Sequence, residues 1–265
     1  MSASTLKTLL RAHRWIGLIL CVPLLLWAVT GVLHPIMSAT QPQPTKRMPP
    51  PQVLDLTVVR PLPAVLQQSG YQHITQAQVV QLSQNQLAYR IVDNQTIGYY
   101  AADTGQPLPQ GEQQHLSRLV AWYTDRPVST IQHIQRVDQF NDDYPSVNRI
   151  LPVWRVDLEH GLRAYLDPSQ DRLVTLSNDP KYWMSRLFRL GHTWSWDEAQ
   201  LPADRWLKTI VLLGGIGIAI VGLLLFIRLK NRKGQRLVSR PMQRWHRRMG
   251  VVAALFAICW MLSGL

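Results

Sequence analysis

Apolar residues concentrate in three long runs along the chain. Residues 15–37, 209–227 and 249–265 contain no charged side chain. A bilayer core about 30 Å thick needs about 20 helical residues. The first two runs meet that length, and the third meets it with its last residue near the far interface. The pattern predicts membrane helices over 15–37, 206–227 and 246–265.

Between the first two runs the period changes. A short helical pattern over 61–70 is closed by Gly70. Residues 76–82 and 86–92 alternate as strands, 96–101 is a third strand and 103–105 is a turn. A helix over 115–124 opens a second set, with strands at 153–158, 162–166 and 172–176. Turns are expected at 159–161 and 167–169. The segments YYAADTGQPL and AYLDPSQDRLV take the same place in each set: a strand, an Asp-containing turn and a return strand. One helix-plus-strands unit is used twice.

The predicted fold class is an α+β membrane protein. It has an N-terminal segment (1–14), a first span (15–37), a Pro/Gln/Thr-rich extended linker (38–52) and a domain (53–179) of two units, about 53–110 and 111–179. A juxtamembrane helix and loop follow (180–205), then a second span (206–227), a basic loop (228–245) and a third span (246–265). The helix expected over 182–192 carries Trp183, Leu187 and Leu190 near one face, with Arg186 and Arg189 beside it.

Charge adds direction. The chain has 28 basic and 16 acidic residues. Every acid lies between Gln41 and Arg205, and that segment is close to neutral. Lys7, Arg11 and Arg14 precede the first run without an acid, and the segment from Arg228 to Arg248 is again purely basic. The high isoelectric point is therefore the positive-inside pattern, not a nucleic-acid signal. It places both basic ends in the cytoplasm and the neutral domain on the other side, with anionic lipid as a partner of the basic loop. The first run exceeds the length of a signal-peptide core. Cys21 and Cys259 both lie in apolar runs, so the domain has no disulfide framework.

Candidate chemistry comes from an internal repeat. Aligning His13 with His246 also matches Arg14 with Arg247, Gly17 with Gly250, Trp27 with Trp260 and Gly31 with Gly264. The first and third helices read as copies of one unit. His13 and His246 fall at their cytoplasmic ends. His34, three heptads beyond His13, falls at the outer end of the first helix, and His192 ends the juxtamembrane helix. Two histidines per membrane face suit two b-type haems, each iron taking imidazole nitrogens as axial ligands. Arg14, Arg247 and Arg248 are placed to neutralise propionates. Interfacial anchoring or helix capping explains the same histidines without haem. His73, His115 and His133 have no ligand spacing around them, and His160 reads as a solvated turn residue.

The segments HRWIGL, LPVWRVDLEHGLRAYLDPSQDRLV, RLFRLGHTW and WHRRMG together resemble PepSY-domain proteins with PepSY-associated transmembrane helices, over almost the whole chain. The family includes bacterial inner-membrane reductases that pass electrons to ferric siderophores in the periplasm and carry haem. The resemblance implies a haem-linked electron-transfer role, with His13, His34, His192 and His246 at the matching positions. Members typically have four or more helices. Here the residue equivalent to His34 would fall two positions beyond Leu265.

Two functions stay open at this point. The first is a haem b membrane oxidoreductase that takes electrons from quinol or a cytoplasmic reductase to a periplasmic acceptor such as ferric siderophore iron. No nucleotide-binding glycine motif is present. The second is a non-enzymatic, membrane-anchored PepSY binding or regulatory module, or a partner subunit of a membrane redox complex.

Overall fold

The computed structural model describes residues 3–52, 54–71, 73–93, 96–194, 202–230 and 241–263. The chain divides into two compact units, one from residues 1–36 and 184–265, the other from 37–183. Most of the basic loop (231–240), the loop residues Trp196, Asp197 and Glu198, the side chain of Trp260, and Gly264 lie outside the described residues.

The helical unit holds α1 (Ala3–Gly31), the start of α2 (Leu33–Thr40), α6 (Pro202–Lys230) and α7 (Pro241–Ser263). The single helix expected over 15–37 is interrupted at Val32. Pro35 is the cause: it has no N–H to give the Gly31 carbonyl, and its ring would strike that carbonyl. Val32 N–H instead donates to the Val29 carbonyl at 3.2 Å. His13 and His34 therefore do not share one uninterrupted helix. Nothing breaks the chain again before Pro42, so helix runs to Thr40 and the linker is shorter than read from the sequence.

Two segments, Ser4–Thr40 and Arg205–Arg228, are long and apolar enough to cross a membrane. Helix α6 packs against both α1 and α7. Glycines make the approach to α1 close. A Cβ on Gly214 would stand 3.3 Å from Leu20, and one on Gly17 would stand 3.9 Å from Ile218. The repeat does not extend to packing, because a Cβ on Gly250 would meet nothing within 4 Å.

The other unit holds two antiparallel sheets. The first is β1 (Gln76–Ser83), β2 (Gln86–Val92) and β3 (Ile97–Ala101), in that order. Helix α3 (Leu62–Ser69) ends on Gly70 at φ 74°, a left-handed cap that glycine adopts without strain. Its Val65 packs on Tyr89, Ile91 and Ala102. The second sheet is β4 (Ile131–Val137), β5 (Val153–Leu158), β6 (Leu162–Asp167) and β7 (Arg172–Ser177), again in chain order.

Strand β4 is absent from the sequence reading. A bulge between Ile131 and His133 breaks its alternation, and its apolar residues Ile131, Ile134 and Val137 recur every third position. With β4 the second sheet has four strands against three in the first. Beyond β3 the first sheet continues only as one bridge, Tyr100 to Pro107, because prolines at 107 and 109 cannot donate to a ladder.

Helix α4 (Gly111–Thr124) serves both sheets. It starts four residues earlier than the apolar pattern indicates. Leu116, Leu119, Val120 and Tyr123 form one core with Val156, Leu158, Ala164, Leu166 and Leu176 of the second sheet. On its other side Gly111 lies so close to Tyr99 of the first sheet that no Cβ would fit.

The extended linker is bonded to α4. Thr45 N–H donates to the Tyr123 carbonyl at 2.8 Å, and the Trp122 indole N–H donates to the Met48 carbonyl at 2.8 Å. Lys46 Nζ lies 4.3 Å from the Trp122 ring centroid. The segment is a strap laid along α4.

Candidate functional site

The four histidines singled out by the sequence all lie in the helical unit or its entry. His13 on α1 and His246 on α7 come together, with ring centroids 6.2 Å apart and ring planes inclined at 60°. Two imidazoles holding one metal from opposite sides place their centroids about 6 Å apart, each contributing about 2 Å of metal–nitrogen bond and about 1 Å from nitrogen to centroid. The observed pair has that spacing.

Room for His13 comes from α6. A Cβ on Gly222 would stand 3.1 Å from His13 Cε1, so any larger residue would push the ring. His13 Nδ1 is buried and has no hydrogen-bond partner among the described residues. A neutral imidazole with an uncommitted nitrogen is a suitable donor for a haem iron. The inner pair thus has the spacing that one shared metal needs, and Gly222 leaves room for one of its rings.

The arginines divide. Arg247 donates from Nη2 to the Phe226 carbonyl at 3.3 Å and lies over the Phe226 ring at 4.9 Å. Arg14 is exposed, 5.8 Å from the centroid of the Trp15 ring.

At the other end, helix α5 (Asp179–Phe188) continues into a wide π-type turn, Arg189–Thr193. Such turns widen a helix locally and often occur at functional positions. Here the turn presents His192 to α1. Its ring stacks on Trp27 at 5.0 Å and on Phe188 at 4.6 Å. Its Nδ1 is 2.9 Å from the Trp27 carbonyl. A carbonyl only accepts, so Nδ1 carries the proton and Nε2 of the neutral ring holds the lone pair. An orienting bond of this kind is the usual outer-shell support of a ligating histidine.

Close approach is again achieved with glycine. A Cβ on Gly31 would stand 3.1 Å from His192 Cε1, and one on Gly191 would stand 2.5 Å from Thr30 Cγ2. His34 and His192 both border Phe188. The His34 ring meets it at 5.8 Å.

Sequence reasoning missed Gly222 and Phe188. Gly222 stands in a glycine-rich stretch of α6 that reads only as close helix packing. Phe188 carries the expected apolar signal of an amphipathic helix, and nothing in that signal distinguishes it.

A second polar constellation lies in the two-sheet unit. His115 is completely buried. Its Nε2 is 2.7 Å from Asp171 Oδ1, and its Nδ1 is 3.0 Å from the Tyr99 hydroxyl. Gln52 of the strap holds the other Asp171 oxygen. Tyr123 donates to the Asp171 carbonyl at 2.7 Å. Burial opposes ionisation of Asp171, but the bonds from His115 and Gln52, with the Arg118 charge, overcome it and hold the carboxyl below its usual range. Nearby Glu112 goes the other way. Burial pushes it up to about 6 against the partial pull of Arg90 and Arg136. Among the described residues no group of three or more His, Cys, Asp or Glu side chains gathers to hold a metal ion.

Among known proteins, a family model described as the PepSY-associated TM region matches residues 10–265. Nothing matches among curated proteins or among solved structures.

Proposed function

The chain belongs to the PepSY-associated transmembrane family, and from that membership we propose that it is a haem b electron-transfer protein of the bacterial inner membrane. Haem, when bound, supplies one-electron transfer. His13 and His246 would hold one haem, and His192 with His34 a second. Arg14 and Arg247 would balance propionate charge.

The observation that carries this reading is the 6.2 Å separation of the His13 and His246 rings, beside a glycine that leaves room for one of them. The Nδ1 bond of His192 to the Trp27 carbonyl supports the outer site, because it leaves Nε2 free to ligate. In this reading α1 with the start of α2, then α6 and α7, are three spans with the N-terminus in the cytoplasm. The 37–183 unit is then a periplasmic domain of two PepSY-like units. Electrons come from quinol or a cytoplasmic reductase and leave to a periplasmic acceptor such as ferric siderophore iron.

The test is the difference spectrum of membranes carrying the full chain. Dithionite reduction gives a b-type absorbance, which falls in His13→Ala and in His246→Ala. A folded but colourless protein would sink the haem reading. It would leave the helices as an anchor for a binding or regulatory module.

A further inference from the structure

We propose that the cleft between the strap and the turn joining β6 to β7 binds a small polyanion, a ligand with clustered phosphate or carboxylate groups. This site is independent of the haem reading. It lies wholly within the 37–183 unit and uses none of the four histidines.

The cleft has a volume of about 360 Å³, near the lower end of the range for small-molecule sites. Lys46 and Arg47 of the strap line one side, and Arg172 with Gln170 line the other. Tyr123 and Leu173 are among the remaining wall residues, and no carboxylate lines the cleft. The segment from Gln41 to Arg205 is close to neutral as a whole. Three cations on one cleft are therefore a local concentration, which the exposed Asp125 beside Lys46 and Asp167 beside Arg172 offset only in part.

The acids nearby are already used or only loosely paired. Asp171 turns its carboxylate to His115 and Gln52. Asp167 accepts from the Ser169 backbone N–H at 3.0 Å and also from the Ser169 hydroxyl, and reaches Arg172 only at 3.5 Å. Lys46 meets the exposed Asp125 at 3.4 Å. Arg47 makes no hydrogen bond or ion pair among the described residues.

The walls are also fixed in advance. Thr45, Met48 and Gln52 tie the strap to α4 and to Asp171. Tyr123 bonds to the Asp171 carbonyl. A ligand would not have to order the strap on binding, which lowers the entropic cost. Arg and Lys together offer both forked and point-charge contacts to an oxyanion.

The ligand could be a soluble polyanion or an anionic lipid headgroup, and the experiment separates them. The full-length protein is placed in nanodiscs of phosphatidylcholine and titrated with pyrophosphate and with citrate by calorimetry. The expected result is saturable binding to one site that weakens as salt rises. Binding weakens at least tenfold in the Arg47→Gln, Arg172→Gln double variant and is unchanged in Arg136→Gln. In phosphatidylglycerol nanodiscs, loss of the probe's binding identifies a headgroup as the occupant, and retention identifies a soluble ligand. No saturable heat in phosphatidylcholine, or heat unaltered in the double variant with its circular dichroism intact, would overturn the proposal.

Discussion

The imidazole of His192 lies parallel to the indole of Trp27, their planes within 7° and their centroids 5.0 Å apart, while its Nδ1 donates to the carbonyl of that same residue. One residue of α1 thus sets both the plane and the tautomer of a histidine 165 positions away. Replacing the indole removes the stacked face but leaves the carbonyl. If the proposed outer haem is bound, Trp27→Leu should therefore broaden its spectrum without abolishing it, whereas His192→Ala removes it. Low-temperature difference spectra of membranes check the order. Equal loss in both variants would mean that the indole, not the carbonyl, positions the ring.

At the other pair, Gly222→Val adds a branched side chain whose Cβ alone would stand 3.1 Å from His13 Cε1. If the proposed inner haem is bound, more than half of its absorbance should be lost. Gly217→Val is the control, since a Cβ there meets nothing within 4 Å. Pigment per protein in the two variants is the measurement.

The contact of Gly191 with Thr30 is testable by compensation. Gly191→Ala overpacks against Thr30 Cγ2, and overpacking costs about 1–3 kcal/mol. Thr30→Ser removes that methyl and should return most of the loss in the double variant. Thermal unfolding of the four proteins gives the coupling energy.

His115→Ala leaves the Asp171 carboxylate buried without its imidazole partner. Breaking a buried pair in this way costs about 3–5 kcal/mol. Asp171→Asn is expected to cost less, because an amide can still bond to the ring. Denaturant unfolding followed by near-ultraviolet circular dichroism ranks the two.

Acid stability follows from two carboxylates with opposite shifts. The Asp171 carboxyl is held below its ordinary 3.8, so its contribution is complete above that pH and is lost as pH falls through the lower folded value. Glu112 is raised from 4.5 to about 6, so it penalises the folded state progressively as pH rises through that interval. Domain stability should therefore decline between about pH 4.5 and 6.5, and Glu112→Gln should flatten the decline. Unfolding midpoints across this range decide it.

The strap should be held as a unit. Trp122→Ala removes the bond to the Met48 carbonyl and the ring beside Lys46. A bond of this kind contributes about 0.5–1.5 kcal/mol. Trypsin should then cut after Lys46 and Arg47 several-fold faster, as read by timed proteolysis of the full chain.

What could be read in advance was local. Strand β2 and the turn after α3 follow from alternation and a glycine, and the long helices follow from uncharged runs. The encounter of His13 with His246 was legible because the repeat placed them equivalently. Strand β4 was not, since its bulge erases the period that identifies a strand. The break at Val32 depends on Pro35, which an apolar run conceals. The His115–Asp171 pair joins residues 56 apart, and no spacing signals it. The linker's attachment to α4 was not legible because its contacts are mostly backbone groups meeting one helix face, which composition does not report.

Helix α4 belongs to both sheets, and that makes the two halves of the 37–183 unit inseparable. A fragment cut before Gly111 would leave Tyr99 and its neighbours on the first sheet open to water, while a fragment beginning there would carry His115 without Tyr99. One shared helix joins the two sheets into a single cooperative folding block. Amide protons of β2 and β6 should then exchange in the same opening event, although the strands lie in different sheets.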